Sequence, residues 1–268
     1  MENIGILGCG WLGYPLAKEL LKDAYSVYGS TTTQSKIEKL KDDGIKASKI
    51  IFFEDKIEGD IITFLRSLDI VIINIPPRLR GKIRENFIKK MTLLHTEIKK
   101  TKCSKIIFIS STAVYGNVSG TVTEETKTKP NTESGKQLLV CEKLFIEDLG
   151  LQTTIIRFGG LIGPDRHPVT MLSGKENLPN GNAPINLIHL EDCISIIKTS
   201  IRKNWWNVIM NAVHPLHPTK KEYYTREARL RGVKPPKYIT SNAINSKKVD
   251  STWLINVKKY HFHTSIFS

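Results

Sequence analysis

Three glycines near the amino terminus, Gly8, Gly10 and Gly13, have the spacing G-x-G-x-x-G. An apolar run over residues 4–7 precedes them and apolar residues at helical spacing follow, which is the context of a strand, a turn and a helix. In such a turn the first glycine permits a tight bend, the second lets a phosphate approach the backbone, and the third lets the helix pack against the strand. Free N–H groups at the helix start then face a pyrophosphate, so the motif predicts dinucleotide binding, with an ordinary glycine-rich turn as the alternative. The residues expected at this site are Gly8, Cys9, Gly10, Trp11, Leu12 and Gly13.

The segment after the second predicted strand, residues 25–29, indicates which dinucleotide would bind. NAD-preferring proteins usually place Asp or Glu there, but residues 30–36 read STTTQSK and contain no carboxylate. Hydroxyls and one amine can hold a 2′-phosphate by hydrogen bonds and charge, so NADP is favoured and NAD stays possible. The alternative is that Thr32 or Ser35 merely caps a helix over residues 36–42. The residues expected to contact the ribose phosphate are Ser30, Thr31, Thr32 and Lys36.

Two further strands end in residues that could contact the same cofactor. The nearly continuous apolar run DIVIINI, residues 69–75, is stopped by Pro76-Pro77, and KIIFISS, residues 105–111, ends in hydroxyls. Ligands of open α/β folds bind at the carboxyl ends of the strands. We therefore expect Ile75, Pro76 and Ser110 at the cofactor site. Arg78 and Arg80 could meet a phosphate or could equally be solvated loop residues.

Composition excludes several classes of function. No apolar run approaches the ~20 residues of a membrane span, and the chain starts without the features of a signal peptide, so we expect a cytoplasmic protein. The net charge is +14, but the lysines are scattered, which predicts no specific nucleic-acid partner. His214 and His217 each precede a proline and lie in extended chain, so no metal site is expected.

Apolar strand-like runs alternate with helix-length patterns along the whole chain, which predicts an α/β protein with a parallel sheet. The other strands are predicted at residues 50–53, 151–157, 185–189 and 206–212, with one or two small strands over 247–263. The other helices are predicted at residues 57–67, 82–100, 134–149, 190–202 and 219–231.

Four segments occur in the order and spacing of a known superfamily: GCGWLG, SSTAVYG, RFGGLIGPDRHP (157–168) and NLIHLEDC (186–193). Together they resemble the extended and atypical short-chain dehydrogenase/reductases, relatives of the nucleotide-sugar epimerases and dehydratases, and within them the YeeZ-type branch. The resemblance implies a Rossmann doubly wound parallel sheet with a small discontinuous C-terminal substrate-binding part. It implies a Rossmann domain over 1–165 joined by 185–213, a substrate part over 166–184 and 214–268, and a possible homodimer through the helices at 82–100 and 134–149.

The resemblance also implies where catalytic groups should lie. The superfamily's Ser or Thr after the fifth strand falls on Ser111, where a hydroxyl could polarise a substrate. The alternative is that the hydroxyls at this strand end only satisfy backbone groups of the turn. The superfamily's Tyr-x-x-x-Lys pair falls on Ser134 and Leu138, so both groups are missing, and a shifted register recovers only the amine of Lys136. The catalytic candidates are Ser111, with Ser134 and Lys136 as weaker ones.

Arg157 matches the superfamily's arginine beside the cofactor, with a structural salt bridge as the alternative. Tyr115, Arg166 and His167 are candidates for contact with a small-molecule substrate, although Tyr115 could equally be a packing residue. Two hypotheses follow. The protein is an NAD(P)-dependent epimerase, dehydratase or reductase with an altered acid/base set, or it is a catalytically silent NADP-binding sensor or scaffold.

Overall fold

The computed structural model describes residues 2–77, 79, 85–240 and 246–267. The strands are β1 (Asn3–Leu7), β2 (Ser26–Thr31), β3 (Lys46–Lys49), β4 (Ile51–Phe52), β5 (Ile57–Glu58), β6 (Ile70–Ile73), β7 (Lys105–Ser111), β8 (Gly120–Val122), β9 (Gln152–Phe158), β10 (Gly160–Ile162), β11 (Leu187–His189), β12 (Val208–Ala212) and β13 (Lys247–Val249). The helices are α1 (Gly13–Lys22), α2 (Ile37–Asp42), α3 (Ile61–Arg66), α4 (Phe87–Lys99), α5 (Glu133–Ile146), α6 (Pro168–Leu172), α7 (Leu190–Arg202) and α8 (Lys220–Leu230).

A seven-stranded parallel sheet in the order β12-β9-β7-β6-β1-β2-β3 forms the centre of the molecule. Its two faces are covered by different helices, because α1 and α7 contribute to one apolar core and α3, α4 and α5 to the other. All four residues of β6 are buried, as expected for a strand covered on both sides. The predicted α/β fold with a Rossmann doubly wound parallel sheet is therefore confirmed.

A third, smaller apolar cluster lies outside the central sheet. It joins β10, β11, α6 and α8 through buried side chains that include Ile162, Val169, Leu187 and Tyr223. The division of the chain into a cofactor domain and a substrate part stays a prediction. Helices α4 and α5 contact each other on one face of the sheet, and the dimer expected through them also stays a prediction.

A short strand does form within the predicted range 50–53, but it is not the third strand of the central sheet. The sheet strand is Lys46–Lys49, whereas Ile51–Phe52 pairs antiparallel with Ile57–Glu58 outside the sheet. The physical reason is that Lys46–Lys49 is an edge strand, and edge strands carry polar and charged side chains that an apolar search passes over. The helix predicted at 57–67 consequently begins at Ile61, where the Asp60 side chain accepts a hydrogen bond from the Thr63 N–H.

Other elements differ from the predicted ones where pairing between distant segments decides the structure. Gly120–Val122, for which no strand was predicted, pairs in parallel with Lys247–Val249. Residues 253–257 form a π-helical turn rather than a strand. The helix predicted at 82–100 is described over Phe87–Lys99, and residues 82–84, like Arg78 and Arg80, lie outside the described residues. No described helix has the length and apolar character needed to cross a membrane.

Candidate functional site

The glycine turn is held by its neighbours at the carboxyl ends of β1, β2 and β6. The Gly8 N–H donates to Ser30 Oγ at 3.0 Å, and the Asn74 side-chain amide donates to the Gly8 carbonyl at 3.0 Å. Gly8 has a φ of 103°, a conformation that L side chains rarely adopt. A Cβ atom at Gly13 would lie 2.2 Å from the Gly8 oxygen, so α1 can approach the turn this closely only with glycine at that position.

The second glycine faces open space. A Cβ atom at Gly10 would have no heavy atom of the described residues within 4 Å, and Gly10 is exposed. The side chains of Cys9 and Leu12 are buried, so these residues offer only backbone to a ligand. Burial raises the pKa of the Cys9 thiol to about 12, which keeps it protonated and unreactive. No side chain caps the start of α1. The turn therefore fits a pyrophosphate, which could approach Gly10 and meet the first N–H groups of the helix.

The end of β2 carries hydroxyls that partly serve the turn itself. Ser30 and Thr31 are buried; Ser30 Oγ accepts from Gly8, and Thr31 Oγ1 accepts from the Thr33 N–H at 3.2 Å. Thr32 and Lys36 are exposed. Neither Thr32 nor Ser35 caps α2, because Lys36 occupies the cap position without a side-chain hydrogen bond, so the capping alternative is wrong.

The pairing of β2 with β3 brings a second amine to the end of β2. Thr31 pairs with Lys49, the last residue of β3, and Lys49 is exposed. The sequence analysis missed Lys49 because it placed the third strand four residues too far along the chain. A correct assignment of this edge strand would have revealed the neighbour.

The ends of β6 and β7 supply the next predicted residues. Ile75 and Pro76 follow β6 directly and are half-buried and exposed, respectively. Ser110 is buried and its Oγ donates to Glu142 Oε1 at 2.5 Å. Ser111 is half-buried and its Oγ accepts from the Ala113 N–H at 3.2 Å, which leaves its hydroxyl proton available.

A buried polar network lies behind these serines. Arg157 Nη2 donates to Glu142 Oε2 at 2.6 Å, and its Nη1 donates to the Tyr115 hydroxyl at 2.9 Å. Tyr115 in turn donates to Asn211 Oδ1 at 2.8 Å and is fully buried, which raises the pKa of its phenol. Tyr115 is thus a packing residue without access to a substrate, and Arg157 forms the salt bridge that was the alternative to cofactor contact. Glu142, the partner on α5, was missed because nothing in the sequence shows that it is buried.

The start of α5 lies beside the turn that follows Ser111. A Cβ atom at Gly135 would be 2.7 Å from the Ala113 oxygen, so the helix reaches this turn through a glycine. Ser134 is half-buried there, whereas Lys136 is exposed. Leu138, which occupies the position of the superfamily's lysine, is buried in the apolar core beneath the sheet.

An amine from the C-terminal segment reaches the same turn. Lys247 Nζ donates to the carbonyls of Thr112 and Gly116 at 3.0 and 2.9 Å. Burial lowers the pKa of this amine. Sequence reasoning had no signal for Lys247, because only the pairing of β13 with β8 carries it to the turn.

Arg166 and His167 are neighbours in sequence but lie in different surroundings. Arg166 is exposed, with its guanidinium carbon 5.0 Å from the centroid of the Trp11 ring. His167 is buried, and its Nε2 lies 2.9 Å from the Tyr223 hydroxyl. Burial, together with the charge of Arg231, lowers the pKa of His167 to about 4. The expectation that His167 faces a substrate is therefore wrong.

His214 and His217, the two histidines with spacing suggestive of a metal site, both contact the backbone. His214 Nδ1 accepts from the Leu216 N–H, and His217 Nδ1 lies 2.8 Å from the Ile185 oxygen. Within the part of the chain that the structure describes, no cluster of three or more His, Cys, Asp or Glu side chains has the arrangement of a metal site.

The sequence of this chain is similar to those of several known proteins. Residues 3–129 match the family model described as the NAD binding domain of 6-phosphogluconate dehydrogenase. The chain is 35% identical over 250 residues to the protein YeeZ of Escherichia coli K12, covering 92% of this chain and 90% of that protein. It is 25% identical over 177 residues to the uncharacterized UDP-glucose epimerase YtcB of Bacillus subtilis, covering 59% and 56% of the two chains.

Solved structures share the fold at lower identity. The UDP-glucuronic acid 4-epimerase of Bacillus cereus, in complex with NAD, superimposes with a TM-score of 0.81 at 19% identity, covering 98% of this chain and 92% of that one. This likeness concerns the architecture of the sheet and helices.

Proposed function

The chain belongs to the YeeZ family, within the extended short-chain dehydrogenase/reductases, and from that premise we propose that it binds a nicotinamide dinucleotide at the carboxyl edge of its sheet. The observation that carries the proposal is the open space over Gly10. The turn around it is fixed by Asn74 and Ser30, yet no atom in the described part of the chain lies within 4 Å of where a Cβ atom would stand. A rigid turn with exposed backbone is what a pyrophosphate requires.

We further propose that the dinucleotide is NADP rather than NAD. The support is the absence of a carboxylate from residues 30–36 and the presence of two exposed amines, Lys36 and Lys49, around the end of β2. A 2′-phosphate would gain charge-assisted hydrogen bonds from such amines and from the Thr32 hydroxyl. A carboxylate at this position would repel it.

We propose that the substrate is a small or sugar-nucleotide-like molecule held by residues 166–184 and 214–268. When bound, the nicotinamide ring would accept or return a hydride. Ser111 is the group that would polarise the reacting carbonyl or hydroxyl, since its proton is available and it ends a strand at the ligand edge. Ser134, half-buried beside the same turn, is the second candidate, and the exposed Lys136 is the weakest.

A specific observation favours a second candidate function, that of a catalytically silent dinucleotide-binding sensor or scaffold. Leu138 fills the superfamily's lysine position, and the phenol of Tyr115 is held by Arg157 and Asn211. Neither a tyrosine nor a lysine is therefore poised in the usual way for proton transfer.

A titration of the purified protein with NADPH and NADH, followed by nicotinamide fluorescence, tests the proposal. We expect tight binding of NADPH, weaker binding of NADH, and a loss of the preference in Lys36→Glu. Gly10→Ala tests the glycine turn separately from the fold, because its methyl group has room in the protein but occupies the space that the phosphate needs. It should keep the wild-type melting temperature and bind at least about 10-fold more weakly.

Binding of neither dinucleotide would refute the proposal. Equal affinity for both would refute only the NADP preference. Incubating the loaded protein with UDP-sugars then separates enzyme from sensor. Conversion of a UDP-sugar that is lost in Ser111→Ala supports the enzyme, and absence of any product from the sugars tested supports the silent alternative.

A further inference from the structure

The side chain of Trp11, in the middle of the glycine motif, packs against a second turn of the chain, residues 163–166. A Cβ atom at Gly163 would lie 2.8 Å from Trp11 Cζ2 and 3.2 Å from Leu190 Cβ. The indole ring is half-buried against this surface. Position 163 can therefore carry no side chain while the ring lies where it does, and the two turns are fitted to each other.

The second turn presents an arginine to the ring. The Gly163 N–H donates to the Arg166 carbonyl at 2.9 Å, and the Arg166 N–H donates to the Gly163 carbonyl at 3.1 Å, which closes residues 163–166 into a tight turn. The guanidinium carbon of Arg166 lies 5.0 Å from the Trp11 ring centroid, within the range of a cation–π contact. The backbone of the turn and the ring together fix where the charge stands.

The guanidinium has no other partner in the described part of the chain. No hydrogen bond or ion pair joins the Arg166 side chain to any described residue, and the side chain is exposed. Arginine offers five N–H donors in a planar fork that matches a phosphate. Here the fork is restrained on an aromatic face while its donors remain available, so less conformational entropy is lost when an anion binds.

We propose that Arg166 is a phosphate clamp, which binds the pyrophosphate of the dinucleotide from the side opposite the glycine turn, and that Trp11 is its positioning residue. This inference rests on the proposed dinucleotide function. The turn supplies uncharged N–H donors around Gly10, and Arg166 supplies the full positive charge that the described turn itself lacks. The chemistry recognised is a pyrophosphate linking two sugars, which a nucleoside-diphosphate sugar also contains.

The test compares dinucleotide affinity among variants that keep or remove the charge. Arg166→Gln should weaken NADPH and NADH binding by about 10- to 100-fold, as expected for loss of charge-assisted hydrogen bonds. Arg166→Lys should recover part of the affinity, because it keeps a charge without the planar fork. Trp11→Leu should weaken binding less than Arg166→Gln does. In the Trp11→Leu background, arginine and lysine at position 166 should give more similar dinucleotide affinities than they do in the wild type.

Arg226→Gln is the matched control. Its guanidinium carbon lies 4.3 Å from the Phe267 ring, so this variant removes an equal charge and a similar ring contact away from the glycine turn. It should bind both dinucleotides as the wild type does. A parallel titration with UDP-glucose assigns the source of the pyrophosphate.

The outcomes separate this inference from the proposed function. If the wild type binds NADPH or NADH and Arg166→Gln binds them equally well, the clamp is overturned and the proposed function stands. If Arg166→Gln loses UDP-glucose binding alone, the assignment to the dinucleotide is overturned. If the wild type binds neither dinucleotide, the proposed function fails and the clamp falls with it.

Discussion

The Lys247 amine donates to the carbonyl of Thr112 at 3.0 Å, although the two residues are 135 positions apart in the chain. Thr112 directly follows Ser111, so a residue of the C-terminal segment fixes the turn that carries the first catalytic candidate. The same amine reaches the Gly116 carbonyl, which closes the turn from its other end. The geometry of the proposed site is thus set by the end of the chain as well as by its beginning.

Replacing Lys247 should loosen this turn. In Lys247→Met both carbonyls lose a donor, and we expect the free energy of unfolding to fall by about 1–3 kcal/mol. Urea denaturation measures the change. Lys248→Met is the control, because Lys248 is half-exposed and forms a salt bridge only with Asp250 among the described residues. An equal effect of the two substitutions would show that the hydrogen bonds of Lys247 do not hold the turn.

The buried pair of Glu142 and Arg157 should behave as a unit. Both side chains are nearly inaccessible, so Glu142→Gln or Arg157→Met alone leaves the other charge buried without its ion-pair partner. Each single change should cost about 3–5 kcal/mol, and the double variant should cost clearly less than the sum of the two. Denaturation of the four proteins completes the cycle. Additive losses would contradict a direct coupling between the two charges.

The glycines of the motif should differ in what they contribute. Gly13→Ala puts a methyl carbon 2.2 Å from the Gly8 oxygen, and the clash is with backbone that cannot move aside cheaply. We expect it to lower the free energy of unfolding by about 1–3 kcal/mol. Gly10→Ala, with its open surroundings, should leave stability unchanged. Thermal melts of both variants check this, and equal melting temperatures would contradict the close packing of α1 on the turn.

His167 should make stability depend on pH in the acid range. Burial lowers its pKa from 6.5 to about 4, so between these two pH values the histidine is protonated in the unfolded chain but neutral in the folded protein. The contribution is complete above about pH 6.5 and is lost as the pH falls toward about 4. The loss is on the order of 3 kcal/mol.

The measurement is urea denaturation at several pH values between those limits. Histidines 214 and 217 also have pKa values lowered by burial and add to the slope with the same sign, so His167→Gln is compared with the wild type at each pH. The stability of the variant should fall less steeply with acid. Parallel curves would show that His167 does not titrate in this way.

Elements encoded by contiguous residues were predicted well. The strand at Lys105–Ser111 and the helix at Leu190–Arg202 have the predicted bounds, and α8, capped by Thr219, lies within the predicted range 219–231. Apolar periodicity and capping residues act over a few positions, so they can be read directly along the chain. The prediction of the third strand failed because Lys46–Lys49 lies at an edge of the sheet and has no apolar pattern.

The sequence by itself determined the α/β class, the YeeZ family and the glycine turn, because each depends on the order of neighbouring residue types. Only the tertiary structure decided which groups meet at that turn. It joined Arg157 to Glu142, withdrew Tyr115 and His167 from the surface, and brought Lys247 to the Ser111 turn. These outcomes depend on strand order and on burial, which distant parts of the chain impose on one another through packing, and no local pattern records them.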